Sequence, residues 1–146
     1  MKTLAVVVSV LALSVAFADE PEDMMVSGSG PAEYVAPLVV TNVRNYAFCD
    51  NRGILKIMVE NAVDVGTCAF RGCVSLRELR LPALASLSKF AGMFAGCVNL
   101  RNVYLDSYVF DKATAIRAGF PWQIPNNGVI FHFANGDFDR NGNQLQ

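Results

Sequence analysis

The residues of this chain that could do chemistry are few: four cysteines, one histidine and an acidic stretch near the C-terminus. Because His132 is the sole histidine, no histidine pair can hold a metal, and any Ser-His or Cys-His nucleophile must use it. No cysteine stands in a recognisable activating context, and His132 is expected to be an ordinary half-exposed strand residue. The sequence has no glycine-rich phosphate loop and no Cys-x-x-Cys pair. Asp137, Asp139 and Asn141, followed by Gly142, imitate the opening of an EF-hand, which places oxygen ligands at alternate positions before a glycine. The bidentate glutamate that ends such a loop has no counterpart, so Asp137–Asn143 is read as a polar hairpin strand and tail. The expectation is a non-enzyme with no catalytic residues, no metal and no cofactor.

Beyond these residues, the chain is dominated by a repeat. Ala69–Arg80 recurs almost in register as Ala47–Met58 before it and Met93–Tyr104 after it. Phe48, Phe70 and Phe94 correspond, 22 and 24 residues apart. Ile54, Leu76 and Leu100 follow, then Ile57, Leu79 and Val103, then Val59, Leu81 and Leu105. Leu79-x-Leu81 and its counterparts alternate as a half-buried strand must. The Ala-Phe-x-x-Cys-x-x-Leu portion is spaced at three and four, which suits one or two helical turns with their apolar side inward. Gly72 and Gly96 would permit a tight bend there. One such unit cannot bury its apolar face, whereas stacked units share a continuous core and a parallel sheet.

The pattern Ala-Phe-x-Gly-Cys-x-x-Leu-x-x-Leu-x-Leu-Pro from Ala69 to Pro82 resembles the BspA-like, or treponemal, class of leucine-rich repeat. The resemblance covers roughly residues 39–106. The third copy has Met93 for the alanine and Asp106 for the proline, and the first replaces x-Gly-Cys by Cys49-Asp50-Asn51. It implies an α/β repeat fold: a short right-handed leucine-rich-repeat solenoid of parallel strands and helical turns. Cys73 and Cys97 share one position of successive coils. A buried thiol stack is favoured there over a disulfide, although a coil spacing of about 5 Å would admit a bridge. Cys49 and Cys68, off the motif, are the better candidates for a bridged pair.

Flanking segments complete the layout. Residues 1–18 combine Lys2, an apolar run from Leu4 to Leu13 and Ala16-Phe17-Ala18, the three parts of a secretory signal peptide. Residues 19–36 are acidic, then rich in Gly, Ser and Pro, and read as a flexible lead-in. The solenoid occupies 37–106 and a C-terminal cap 107–146. In the cap, Asp111–Ala118 has an N-cap aspartate and Gly119 beyond its end, as a short helix requires. Val129–Ala134, Asn135-Gly136 and Asp137–Asp139 read as a hairpin with a type I′ turn. Removing residues 1–18 takes away Lys2 alone, leaving 11 of the 12 basic residues against 13 acidic ones. That balance gives no electrostatic case for nucleic acid or an anionic membrane as partner, and no stable membrane insertion is expected after leader cleavage.

If the motif residues face inward, their alternating neighbours face outward. Lys56, Glu78 and Asn102 then form one column and Met58, Arg80 and Tyr104 the next, a compact patch on the expected concave sheet. Arg, Tyr and Met are residue types enriched at interfaces. The reading is a secreted or extracytoplasmic protein, at the cell surface or in the periplasm, acting in adhesion or recognition of an extracellular protein or glycan. The alternative is a structural component that self-associates edge to edge and has no separate ligand.

Overall fold

The computed structural model describes residues 32–146. The leader at 1–18 and the lead-in as far as residue 31 lie outside the described residues. In chain order the elements are β1 (Glu33–Val35), β2 (Asn42–Val43), β3 (Lys56–Met58), β4 (Asp64–Val65), β5 (Glu78–Arg80), β6 (Asn102–Leu105), helix α1 (Lys112–Arg117), β7 (Ile130–Phe133) and β8 (Gly136–Asp139). The main sheet runs β1-β3-β5-β6-β7-β8, parallel at every step except the last; β2 and β4 form a small second parallel sheet. This is a parallel-strand β-solenoid.

Its strands reach beyond the expected repeats at both ends. Residues 33–35 belong to the sheet as β1 with Tyr34 buried, so the lead-in does not stay loose to residue 36. At the other end β7 pairs with β6 in parallel, adding a rung to the ladder before the chain reverses into β8. Both extensions have the same cause. Tyr34 and Phe131 fall in the inward row of Ile57, Leu79 and Val103, and all five are buried. Removing a side chain of this size from water contributes about 1.5–3 kcal/mol. A second row stacks the rings of Phe48, Phe70 and Phe94 at 5.7 and 6.2 Å, and Trp122 continues it 6.4 Å beyond Phe94.

The arcs between strands are not the helical turns that the three-and-four spacing suggests. They are single turns closed by bonds three residues apart, as from Cys73 N to Phe70 O, Leu76 N to Cys73 O and Cys97 N to Phe94 O. Two left-handed residues in each arc prevent propagation. They are Tyr46 and Asp50 in the first arc, Cys68 and Gly72 in the second, Gly92 and Gly96 in the third. Each pair brackets the stacked phenylalanine, and an α-helix admits no such residue within it. Freed from helical bonding, the arc amides turn to the next coil. Tyr46 N reaches Thr67 O at 3.0 Å, Phe48 N reaches Ala69 O at 2.8 Å, and Gly72 N reaches Ala95 O at 2.8 Å. The stack is therefore hydrogen-bonded on both of its sides.

All four cysteines are free thiols in the structure, so Cys49 and Cys68 are not the bridged pair expected of them. Cys73 Sγ donates to Phe48 O and Cys97 Sγ to Phe70 O, each at 3.0 Å. Each thiol thus ties its coil to the carbonyl of the coil before. The first coil carries Asn51 at this position. Its Oδ1 turns instead to its own chain and accepts from Gly53 N and Ile54 N, both at 3.1 Å.

The cap keeps its helix but not its turn. Asp111 caps α1 by accepting from Thr114 N at 2.9 Å, and Gly119 just beyond has a φ of 84°. In the hairpin, Phe133 pairs with Gly136, so the two turn residues are Ala134 and Asn135 rather than Asn135 and Gly136. A type I′ turn needs positive φ at both, and neither has it. Asn135 is recruited elsewhere: its Oδ1 accepts from Phe110 N at 2.8 Å and its Nδ2 donates to Phe110 O at 3.0 Å. Among the described residues no helix is long and apolar enough to cross a membrane.

A β-carbon at Gly72 would overlap Asp50 Oδ1 of the preceding arc, at a φ of 75°. Gly72→Ala is expected to cost about 2 kcal/mol or more in urea unfolding. Gly128→Ala, at a glycine with ordinary φ and room for the methyl group, should be close to neutral. Equal losses at the two sites would show that the left-handed arc is not the sensitive feature.

Candidate functional site

Parallel pairing brings the six expected patch residues together in the expected register. Lys56, Glu78 and Asn102 align across β3, β5 and β6, and Met58, Arg80 and Tyr104 align beside them. Each is half-buried while the residue between them in the strand, Ile57, Leu79 or Val103, is fully buried. Strand alternation alone produces this arrangement, because a row of inward hydrophobes forces its neighbours outward.

The columns do not stop at β6. Ile130 continues the first and His132 the second, followed on β8 by Asp139 and Asp137. His132 was the residue that sequence reasoning left aside. The signal was present: Asn102-Val103-Tyr104-Leu105 and Ile130-Phe131-His132-Phe133 share one alternation, which places His132 where Tyr104 stands. The hairpin reading obscured it by treating β7 as a cap strand and not as another rung.

The side chains form one continuous chain of contacts across five strands. Lys56 Nζ lies 3.5 Å from Glu78 Oε1, and Arg80 Nε donates to the same oxygen at 2.6 Å. The Arg80 guanidinium sits 4.0 Å from the centre of the Tyr104 ring. On the far side of Tyr104 the His132 imidazole stacks at 4.2 Å and 10°. Strands β5 and β7 flank β6, so the cation and the imidazole cover opposite faces of the phenol. His132 is held in turn by Asp137 Oδ1, 2.8 Å from Nδ1, and Asn102 Oδ1, 2.9 Å from Nε2.

The charges are locally balanced. Burial by itself raises the Glu78 carboxyl, but the hydrogen bond and charge of Arg80, aided by Lys56, more than reverse this and hold it below its ordinary value. The same bond raises Arg80. What reaches solvent is the edge of the row: the remaining guanidinium N–H groups, the ammonium of Lys56 and the rim of Tyr104, with acidic Asp137 at one side. Such a row can form hydrogen bonds and ion pairs with a ligand laid across the strands.

It is poorly arranged for covalent chemistry. Both nitrogens of His132 are engaged, one by a carboxylate and one by an amide, with no hydroxyl or thiol on either. Burial pushes the Cys97 thiol up to about 12 and drives Cys73 in the same direction, which makes both of them donors and not nucleophiles at neutral pH. The EF-hand-like tail is also spoken for. Asp137 serves His132, while Asp139 accepts from the backbone of Asn141 and of Asn143, both at 2.8 Å. Among the described residues no group of three or more His, Cys, Asp or Glu side chains is placed to hold a metal ion.

Comparison with known protein families, with curated proteins and with solved structures finds no match to this chain.

Because the folded protein holds Glu78 below its ordinary carboxyl range, the stabilisation from this pairing is present above the unfolded-state value and is lost as pH falls through the folded one. Glu78→Gln should therefore destabilise at neutral pH by less than about 1 kcal/mol, as expected of a partly exposed pair. Unfolding curves of the two proteins should converge as the pH is lowered beneath the ordinary glutamate range. A difference independent of pH would show that the carboxylate is not what Arg80 and Lys56 recognise.

Proposed function

We propose that this chain is a non-catalytic recognition module, an exported protein of the leucine-rich-repeat type that binds an extracellular partner through the outward face of its main sheet. The family reading rests on the motif from Ala69 to Pro82 and on the strand stacking that accompanies it. Export rests on the leader-like residues 1–18. The observation that carries the binding reading is the row Arg80–Tyr104–His132, in which an arginine and a tyrosine of interface type are held by each other and by a stacked histidine before any ligand arrives. Preorganisation of this kind lowers the entropy that binding must overcome.

Of the two ligand classes, a protein suits the face better than a glycan. Sugar recognition by aromatic residues uses an open ring face, and both faces of Tyr104 are taken by Arg80 and His132. The exposed donors suit backbone carbonyls and side-chain carboxylates. A depression of about 370 Å³ between α1 and the C-terminal tail, lined by Ile116, Phe120, Asn127 and Arg140, is less well suited, since Arg140 is already bonded to Asn127.

Replacing Arg80 and Tyr104 together by Ala should weaken binding to a partner captured from the native extracellular medium by at least about tenfold, the scale of an interface hot spot. The circular dichroism spectrum should be unchanged. Retained affinity would remove this face from consideration, and selective capture of oligosaccharides on a glycan array would replace the protein reading with the glycan one.

A further inference from the structure

The two ends of the solenoid are finished differently. At the C-terminal end the outer side of β8 is covered by the chain itself: Leu145 N donates to Asp137 O at 2.7 Å, and Phe138 bridges to Gln144. At the N-terminal end β1 is the last strand of the sheet, and no described residue pairs with its outer side. Ala32 O accepts from Lys56 N at 3.1 Å and Ala36 N donates to Met58 O at 2.8 Å, so the even-numbered residues bond towards β3. By the two-residue alternation of a strand, the N–H and C=O groups of Glu33 and Val35 point the other way, out of the sheet. Beside this edge the same coil exposes apolar side chains: Val35 is 52% exposed, and Leu38 and Val39 in the next turn are 69% and 82% exposed.

We infer that β1 is a homodimer interface, on which the β1 strand of a second copy pairs antiparallel about a two-fold axis at Tyr34. Two features of the edge select this partner and this register. Centring on Tyr34 places Glu33 opposite Val35 of the second copy and Val35 opposite its Glu33, so all four outward backbone groups of each strand are matched. The two glutamates never meet, which a shifted register would not guarantee. With one strand edge of the main sheet unpaired among the described residues, association ends at two copies; growth into a layer would need a second.

Side chains opposite one another in an antiparallel pair lie on the same face. The outward columns of the two copies therefore merge into a single face, with Glu33 and Lys56 of one copy running into Val35 and Met58 of the other. A dimer of this form presents two copies of the Arg80–Tyr104–His132 row side by side, although the dimer itself does not depend on what that row binds.

Opposite charge substitutions at the exposed Val35 test the register. Val35→Glu sets a glutamate against Glu33 of the opposite copy at each of the two symmetry-related positions, whereas Val35→Lys makes an ion pair at each. Sedimentation equilibrium of the purified chain is expected to show a monomer–dimer equilibrium without larger species. Dimerisation should be about tenfold weaker for Val35→Glu, while Val35→Lys dimerises as tightly as the parent or more so. Circular dichroism should show both variants folded. Equal weakening by both substitutions would replace the paired edge with a nonspecific apolar patch. Absence of any effect, a chain that stays monomeric at all concentrations, or growth beyond the dimer would each overturn the proposal.

Discussion

Each coil of the repeat must return its chain to the start of the next strand, and in the three arcs that carry Phe48, Phe70 and Phe94 the device that does so is a left-handed residue on each side of the stacked ring. Tyr46 and Asp50, Cys68 and Gly72, and Gly92 and Gly96 occupy equivalent places in successive arcs. They stop the helix that the apolar spacing would otherwise support and turn the arc amides towards the neighbouring coil. Sheet bonds on one side and arc bonds on the other then fix the coils in register, and the register fixes everything outside them. Three of these six positions are not glycine, so the first two arcs carry backbone strain that the third lacks.

The outward face inherits its order from that constraint. Arg80 meets Tyr104, and Tyr104 meets His132, because three strands share one alignment. A slip of one residue would turn all three inward and bring Leu79, Val103 and Phe131 to the surface. The hydrophobic rows are therefore what position the polar row, and the polar contacts add little stability of their own. This division explains how a chain with sparse chemistry can still hold a defined array of charged and aromatic groups.

The strands and their register were legible in the sequence because three copies of one alternation agree with each other. The arcs were not, since spacing at three and four fits a helix and a pair of left-handed turns equally well. Cys68 and Tyr46 also occupy left-handed positions without the glycine that would signal them. β1 escaped notice because Glu33-Tyr34-Val35 is only three residues long and follows a segment rich in glycine and serine. The hairpin turn was misplaced by one residue because Asn135 answers to Phe110, a contact no local pattern reveals. His132 was readable in principle and was lost to the assumption that the ladder ended at β6.

The thiol bonds give the stack a direction. Cys73 and Cys97 each reach back to the coil before, so a coil bearing cysteine is incomplete without a predecessor, whereas Asn51 at the same position of the first coil turns its Oδ1 to the backbone of Gly53 and Ile54. At the opposite end Trp122 replaces the stacked phenylalanine and leads into the reversal of β8. The first and last of these units are thus spelled in different residues from the middle. A longer array could arise by duplicating the cysteine-bearing unit any number of times, whereas a duplicated Trp122 unit would bring the reversal of β8 into its middle.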